Sequence, residues 1–196
     1  MTGVGAVINT ASAREEDSIA IVGLGGVGLS ALLASIAIGS KKTIAIDLSN
    51  EKLNLAHELG ADHILNPNDA NFLERMRDLT SGGANIAIET AGSGRALKTA
   101  YDITRRGGTT VAAGMPGPKV DITLSHLSIA AEERIIKGSY MGSCIAHRDI
   151  PKYLDMFQTG KLPVDRLLSR KITFEDLNAA MDRLDDAKTV REVLIP

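Results

Sequence analysis

Residues 18–47 read SIAIVGLGGVGLSALLASIAIGSKKTIAID. An apolar run, Ile19-Ala20-Ile21-Val22, meets Gly23-Leu24-Gly25-Gly26-Val27-Gly28 directly. Residues 29–38 are long and apolar enough for a buried helix, and a second β-like run, Thr43-Ile44-Ala45-Ile46, ends at Asp47. The order is strand, glycine turn, helix, strand, acid, which is the pattern of a dinucleotide-binding βαβ unit. Each part has a physical job. Gly23 permits a tight turn, Gly25 lets backbone approach a pyrophosphate, and Gly28 lets the helix pack close to the strand. The helix N-terminus supplies unpaired N–H groups and partial positive charge. Asp47 lies 47 − 28 = 19 positions beyond Gly28, close to the spacing of about 20 that places a carboxylate on the adenosine ribose hydroxyls. A glycine turn in a nucleotide-free α/β domain leaves that spacing unexplained.

Composition narrows the function classes. A chain of 196 residues, 44% hydrophobic and 23% charged, suffices for one domain with a large core, or for one domain and a piece of another. A net charge of −2 gives no electrostatic footprint for nucleic acid or an anionic membrane. Three Phe, three Tyr and no Trp offer no stacking platform for single strands. Cys144 is the one cysteine, so no intramolecular disulfide forms and a thiolate zinc site is short of ligands. No run approaches the ~18 apolar residues of a membrane span. The N-terminal residues lack the basic and apolar regions of a signal peptide. A reducing, cytoplasmic setting is expected.

Taken in order, residues 2–10 predict a helix with Val4, Val7 and Ile8 on one face. After the glycine-turn unit, Ser49 N-caps a helix over 50–59 and Gly60 C-caps it. Residues 62–65, 84–88 and 109–113 read as strands, and 70–79 and 95–104 as helices, with Phe72, Leu73, Met76 and Leu79 facing inward. Strand and helix alternate through five strands, which predicts a doubly wound parallel sheet with ligands outside the strands' carboxyl ends. Residues 120–124 read as a strand, 128–134 as a short helix, and 135–141 as the sixth sheet strand. Beyond Gly142, a helix is expected over 150–158 with Tyr153, Leu154 and Phe157 apolar. A strand is expected over 167–172, a Thr173-capped helix over 174–184, and a last strand over 190–195.

The whole chain resembles the C-terminal half of a zinc-type medium-chain alcohol dehydrogenase. The motifs that carry the resemblance occur in order. Thr2-Gly3 with Gly5-Ala6-Val7 is similar to the helix entering the coenzyme domain, and Ile21–Leu29 to the phosphate turn. Asp47 with Lys52 resembles the adenosine-ribose pair, and Leu59-Gly60-Ala61-Asp62 the end of the second helix. Glu89-Thr90-Ala91-Gly92, Ala113-Gly114-Met115 and the segment from Lys137 to Gly142 resemble the nicotinamide-side segments. Val190-Arg191 resembles the site of a pyrophosphate-binding arginine.

The resemblance implies an NAD site. Gly23, Gly25, Gly26, Val27 and Gly28 would take the pyrophosphate, with Arg191 gripping its oxygens. Asp47 and Lys52 would take the adenosine ribose, with Thr90 and Ala91 nearby. Thr2, Ala113, Gly114, Met115 and the backbone of Ser139, Tyr140 and Met141 would face the nicotinamide. It also implies two parts: a six-stranded Rossmann coenzyme domain over 2–142, and an α+β tail over 143–196 returning to a catalytic domain. In the resembled family the catalytic zinc ligands precede the position of Thr2. His57, His63, His126 and His147 show no metal spacing with Cys144, which reads as a small buried hydrophobe. No metal ligand and no catalytic residue are therefore expected in this chain. Zinc belongs only to the intact parent enzyme, and this chain alone is expected to be inactive, with tail residues Leu167, Leu168 and Ile172 exposed.

The parent reaction would be hydride transfer between an alcohol or aldehyde and NAD. The zinc-free quinone and enoyl reductases are a rival, but they typically lack this full glycine turn and replace the acid at position 47. A non-catalytic dinucleotide-binding module is the other. Expected partners are a small-molecule alcohol or aldehyde and a second copy of the chain paired through the sheet edge at 135–140, with no nucleic acid and no membrane.

Overall fold

The computed structural model describes residues 1–183 and 190–195. After helix α1 (Thr2–Gly5) come β1 (Ser18–Val22), α2 (Gly26–Ala37), β2 (Lys42–Ile46), α3 (Asn50–Glu58), β3 (His63–Leu65) and α4 (Phe72–Thr80). The domain continues with β4 (Ala84–Glu89), α5 (Gly94–Ile103), β5 (Thr104–Ala112), α6 (His126–Ala131) and β6 (Ile135–Gly138). The six strands form one parallel sheet in the order β3-β2-β1-β4-β5-β6. Consecutive strands are laid outward in opposite directions from β1 and β4, so the strand order reverses between those two.

The apolar run of β1 explains why both faces are covered. Alternate side chains of a strand point to opposite faces. Ile19 and Ile21 join one core with Leu29, Leu32 and Leu33 of α2 and Leu53 of α3. Ala20 and Val22 join another with Phe72 and Met76 of α4 and Ala100 and Ile103 of α5. All five residues of β1 are buried, as central parallel strands require. The expected N-cap is made: Ser49 Oγ accepts from Lys52 N–H at 3.4 Å, and Gly60 follows the helix at φ 108°.

After Gly138 come α7 (Ala146–Gln158), β7 (Arg170–Ile172), α8 (Leu177–Arg183) and β8 (Glu192–Leu194), with β7 and β8 paired in parallel. Among the described residues no helix is long and apolar enough to cross a membrane.

Several local expectations are corrected. Residues 2–10 do not form one regular helix: α1 passes into a π-helical turn at Ala6–Thr10, where Ala11 N–H reaches back five residues to Ala6 O. Strand β5 begins at Thr104, directly out of α5, because the Thr104 hydroxyl bonds both Ala100 O and Thr110 Oγ1 and the pairing shifts register there. It ends at Ala112, leaving Ala113 just outside. Residues 120–124 form no strand, and β6 stops at Gly138. Leu73 is exposed; it lies about 100° around α4 from Phe72, off the face that Phe72, Met76 and Leu79 share. Of the three apolar residues expected on the buried face of α7, Leu154 and Phe157 are exposed and Tyr153 is buried. Helix α8 starts at Leu177, so Thr173 does not cap it; Leu184 lies outside the described residues. In the tail Leu168 is exposed as expected, but Leu167 and Ile172 are buried, and Leu167 joins the core beneath α2 along with Tyr153 and Leu162.

Candidate functional site

At the carboxyl end of β1 the chain turns at Gly23, with φ 96° and so little space that a Cβ would stand 2.8 Å from Ala91. A Cβ on Gly28 would stand 1.8 Å from Gly23 O and 2.7 Å from Thr90 Oγ1. Thr90 closes this contact by donating to Gly23 O at 2.6 Å. Both glycines are thus demanded by the packing of α2 on β1 and β4. Gly25 is different. It caps α2 in ordinary extended backbone, φ −77° and ψ −170°, and a Cβ built on it would meet no atom within 4 Å. Its space lies in front of a 12-residue helix that has no side-chain cap and no acid in its first turn. Unpaired N–H groups at such an end attract an anion.

Arg191 reaches the same place. A Cβ on Gly26 would lie 3.2 Å from an Arg191 guanidinium nitrogen. The Arg191 backbone is fixed through Ser169, whose Oγ accepts from Val190 N–H and Arg191 N–H at 3.0 and 3.2 Å, while Ser169 N–H donates to Arg191 O at 2.7 Å. Val27 carries the other side of the helix start, where its carbonyl would stand 2.1 Å from a Cβ on Gly3, so α1 is pressed against α2.

Asp47 stands just past β2. Its two carboxylate oxygens accept from Leu24 N–H at 2.7 Å and Ser49 N–H at 2.9 Å. The carboxylate is therefore bound to the glycine turn itself, and each oxygen retains capacity for a further donor. Beside it opens a cleft of about 320 Å³, with Asp47, Ser49 and Lys52 on one side and Ala91, Arg95 and Thr99 on the other. Arg95, held by Asn68 Oδ1 at 2.7 Å, has no motif around it that marks it in the sequence. A cleft of about 410 Å³ at His57, His63 and Arg75 lies where β3 begins, at the opposite end of that strand from its carboxyl terminus.

The ends of β4, β5 and β6 form the other half of the crevice. Glu89, the last residue of β4, is 2% exposed, and its Oε1 accepts from Gly92 N–H at 2.5 Å. Burial pushes its pKa above the ordinary 4.5, against the opposing pull of backbone N–H groups at Gly92, Ala91, Ser93 and Gly114. Its carbonyl accepts from Ala113 N–H and Gly114 N–H. A Cβ on Gly114 would lie 2.2 Å from Gly92 N, and one on Gly92, at φ 69°, 2.8 Å from Met115 O. The loops carrying Thr90, Ala91, Ala113, Gly114 and Met115 are interlocked around this buried carboxyl group. The sequence shows Glu89 within a motif but gives no sign of that anchoring role.

Ser139 continues from β6 by donating its N–H to Ala112 O at 2.9 Å. Its side chain is buried, whereas the side chains of Tyr140, Met141 and Met115 are exposed. Gly142 returns the chain against Thr2: a Cβ there would stand 2.7 Å from Thr2 O. The structure therefore brings residues 23–28, Asp47, Lys52, Thr90, Ala91, 113–115, 139–141, Thr2 and Arg191 to the carboxyl-end side of the sheet.

Cys144 is half-buried rather than a buried hydrophobe, with its Sγ 3.5 Å from both Asn9 Nδ2 and Tyr153 Oη. Among the described residues no group of three or more His, Cys, Asp or Glu is placed to hold a metal ion.

Comparison with known proteins gives a consistent result. The family model described as zinc-binding dehydrogenase matches residues 26–159. The chain is 33% identical to geraniol dehydrogenase from Castellaniella defragrans over 99% of its own length and 52% of that protein's. It is equally similar, 33%, to alcohol dehydrogenase class-2 isozyme 2 from Oryctolagus cuniculus, again over 99% of this chain and 52% of the relative. Among solved structures, an alcohol dehydrogenase zinc-binding domain protein from Burkholderia ambifaria superposes with a TM-score of 0.95 at 31% identity, over 100% of this chain and 53% of the other. Benzyl alcohol dehydrogenase from Acinetobacter calcoaceticus superposes with 0.94 at 30% identity, over 98% and 53%. The chain spans about half the length of the curated relatives it matches.

Proposed function

The chain belongs to the zinc-binding dehydrogenase family, and from that premise we propose that it is the NAD-binding half of an alcohol dehydrogenase. The observation that carries the reading is Gly25. No atom of the protein requires a glycine there, yet it caps the open end of α2, flanked by Leu24, whose N–H donates to the Asp47 carboxylate, and by Gly26, which the Arg191 guanidinium approaches. A ligand phosphate is a reason for that glycine.

The residues fit the cofactor from end to end. The N–H groups at the start of α2 and the Arg191 fork take the pyrophosphate. Asp47 accepts from the free ribose hydroxyls and repels a 2′-phosphate, which selects NAD over NADP. Lys52, Thr90 and Ala91 line the adenosine side. The main chain at 113–115 and 139–141, with Thr2, orients the nicotinamide. Bound NAD supplies the ring carbon that accepts a hydride.

The described residues do not fit a zinc ion. The chain on its own is inactive in this reading, the coenzyme domain ends near Gly142, and the tail over 143–196 would return to a catalytic half. Strand β6 is the sheet edge, with Ile135 and Ile136 exposed, and it pairs two copies into a dimer.

Calorimetric titration with NAD and NADP tests the reading. NAD binding with a defined stoichiometry supports it, and absence of binding overturns it. NADH formation with primary, secondary and aromatic alcohols tests inactivity. Turnover above a Gly25→Val control would show a complete catalytic site in this chain.

A further inference from the structure

Shortly after β6 the chain takes an uncommon backbone at residues 141–143. Met141, Gly142 and Ser143 all have positive φ, at 51°, 68° and 50°. Two of the three carry a Cβ, for which left-handed backbone is disfavoured. Such a run persists only where its surroundings dictate it, and it concentrates at sites that bind or react.

The surroundings are supplied by the π-helical turn Ala6–Thr10. Wide turns of this kind are rare and recur at functional positions. Here the turn brings two consecutive side chains onto the 139–144 segment. Thr10 Oγ1 lies 2.8 Å from Ser139 Oγ and 2.8 Å from Ser143 Oγ, so one hydroxyl ties both flanks of the strained run together. The carbonyl of Thr10 accepts from Lys137 Nζ at 3.2 Å. Asn9 Nδ2 stands within 3.2–3.5 Å of four acceptors: Gly142 O, Cys144 Sγ, Asp149 Oδ2 and Tyr153 Oη. With two N–H bonds to share among them, it joins the apex of the run to α7. Asp149 is itself fixed, accepting from Ile145 N–H at 2.8 Å and from two Arg148 nitrogens at 2.8 and 2.9 Å. On the inner side there is no slack, because a Cβ on Gly5 would stand 2.3 Å from Gly142 O.

The geometry points to Asn9 and Thr10 as positioning residues for the nicotinamide. They hold residues 141–143 in the left-handed run, and the 139–141 main chain that leads into it is thereby presented to the nicotinamide half of the dinucleotide. This rests on the dinucleotide reading above, with 139–141 on the nicotinamide side. Neither residue touches the cofactor in this scheme. Their side-chain partners include none of residues 23–28, Asp47 or Arg191. Loss of the clamp therefore weakens one half of the ligand's binding and leaves the other half alone.

That separation supplies the test. The affinity of the full chain for NADH is read from the nicotinamide fluorescence change, and for ADP-ribose, which lacks the nicotinamide, by calorimetry. Wild type, Thr10→Val, Thr10→Ser and Asn9→Ala are compared. Thr10→Val keeps the side-chain shape and removes the hydroxyl. The preference for NADH over ADP-ribose should fall about fivefold in Thr10→Val, the loss of one or two hydrogen bonds. ADP-ribose affinity should stay within about twofold of wild type, which also shows that the variant is folded. Thr10→Ser should restore the preference, and Asn9→Ala should lower it. Equal loss of both ligands, no change in the preference, or a Thr10→Ser variant that behaves like Thr10→Val overturns the assignment. Wild type that binds ADP-ribose and NADH equally also overturns it, while leaving the adenosine half of the dinucleotide reading intact. Wild type that binds neither overturns both.

Discussion

Replacing Gly25 by valine should abolish NAD binding and leave the folded protein almost as stable as before. At φ −77° and ψ −170° the position suits any residue, and no atom lies within 4 Å of its Cβ. Removing a glycine from a compatible site restricts the unfolded chain and stabilises by about 0.4–1 kcal/mol. Valine is a poorer N-cap than glycine, which costs about 1 kcal/mol. The two nearly cancel, so the melting temperature should shift by no more than about 4 °C for a chain of this size. The branched side chain fills the space before the α2 N–H groups, and NAD affinity should fall at least about 100-fold, or about 2.7 kcal/mol. Gly28→Ala is the contrast. Its Cβ would sit 1.8 Å from Gly23 O, a clash of backbone against helix that costs about 1–3 kcal/mol or more, so melting should fall by about 2–12 °C. Scanning calorimetry and NAD titration on both variants decide the matter. Wild-type affinity in Gly25→Val would refute the phosphate role of the turn. A large loss of stability in that variant, or none in Gly28→Ala, would refute the division of the two glycines into ligand-facing and packing positions.

Asp47 should give NAD at least a tenfold advantage over NADP, about 1.4 kcal/mol. Asp47→Gly should narrow that gap and also lower the melting temperature, because Leu24 N–H and Ser49 N–H lose their acceptor; equal or tighter NADP binding by wild type would sink the claim. Arg191→Ala should weaken NAD by about tenfold or more, since hydrogen bonds to charged groups contribute about 1.5–3 kcal/mol. Arg191→Lys should recover only part of the loss, having no planar fork; full recovery in the titration would mean that net charge alone matters. Glu89 has a folded pKa raised above the ordinary 4.5 by burial, so its contribution to stability is present below that value and is lost as pH rises through the raised pKa. Glu89→Gln is free of this loss, and its melting temperature relative to wild type should climb as pH rises from about 4.5; a difference that stays constant across that range would refute the shift.

Much of the fold is legible because its signals are local. The apolar run of β1, the glycine turn, the apolar α2, β2 and Asp47 lie within one 30-residue stretch, 18–47, and the parallel sheet follows from alternation of such units. Where local pattern fails, packing against another element or the phase of a helix decides. Residues 120–124 alternate like a strand, but they lie against the start of α5, where a Cβ on Gly94 would stand 3.2 Å from Asp121 O and 3.3 Å from the side chains of Val120 and Ile122, and not alongside a strand of the sheet. Leu73 is apolar and is expected inward, but the spacing of Phe72, Met76 and Leu79 leaves it off the buried face.

The candidate site divides in the same way. Gly23, Gly25, Gly28 and Asp47 stand out in sequence because backbone freedom and one carboxylate at a set spacing are requirements of the motif. Which glycine serves the ligand and which the packing is decided by tertiary contacts. The same holds for the anchoring of two loops on Glu89 and for the seat of Arg191 on Ser169. Thr10 meets Ser139 across 129 positions and Asn9 meets Tyr153 across 144. Side chains so distant are joined by the packing of α1 on α2 and of α7 beneath them. Periodicity over a few residues records which face of an element is apolar, but not which distant polar group that face will meet once the elements are packed.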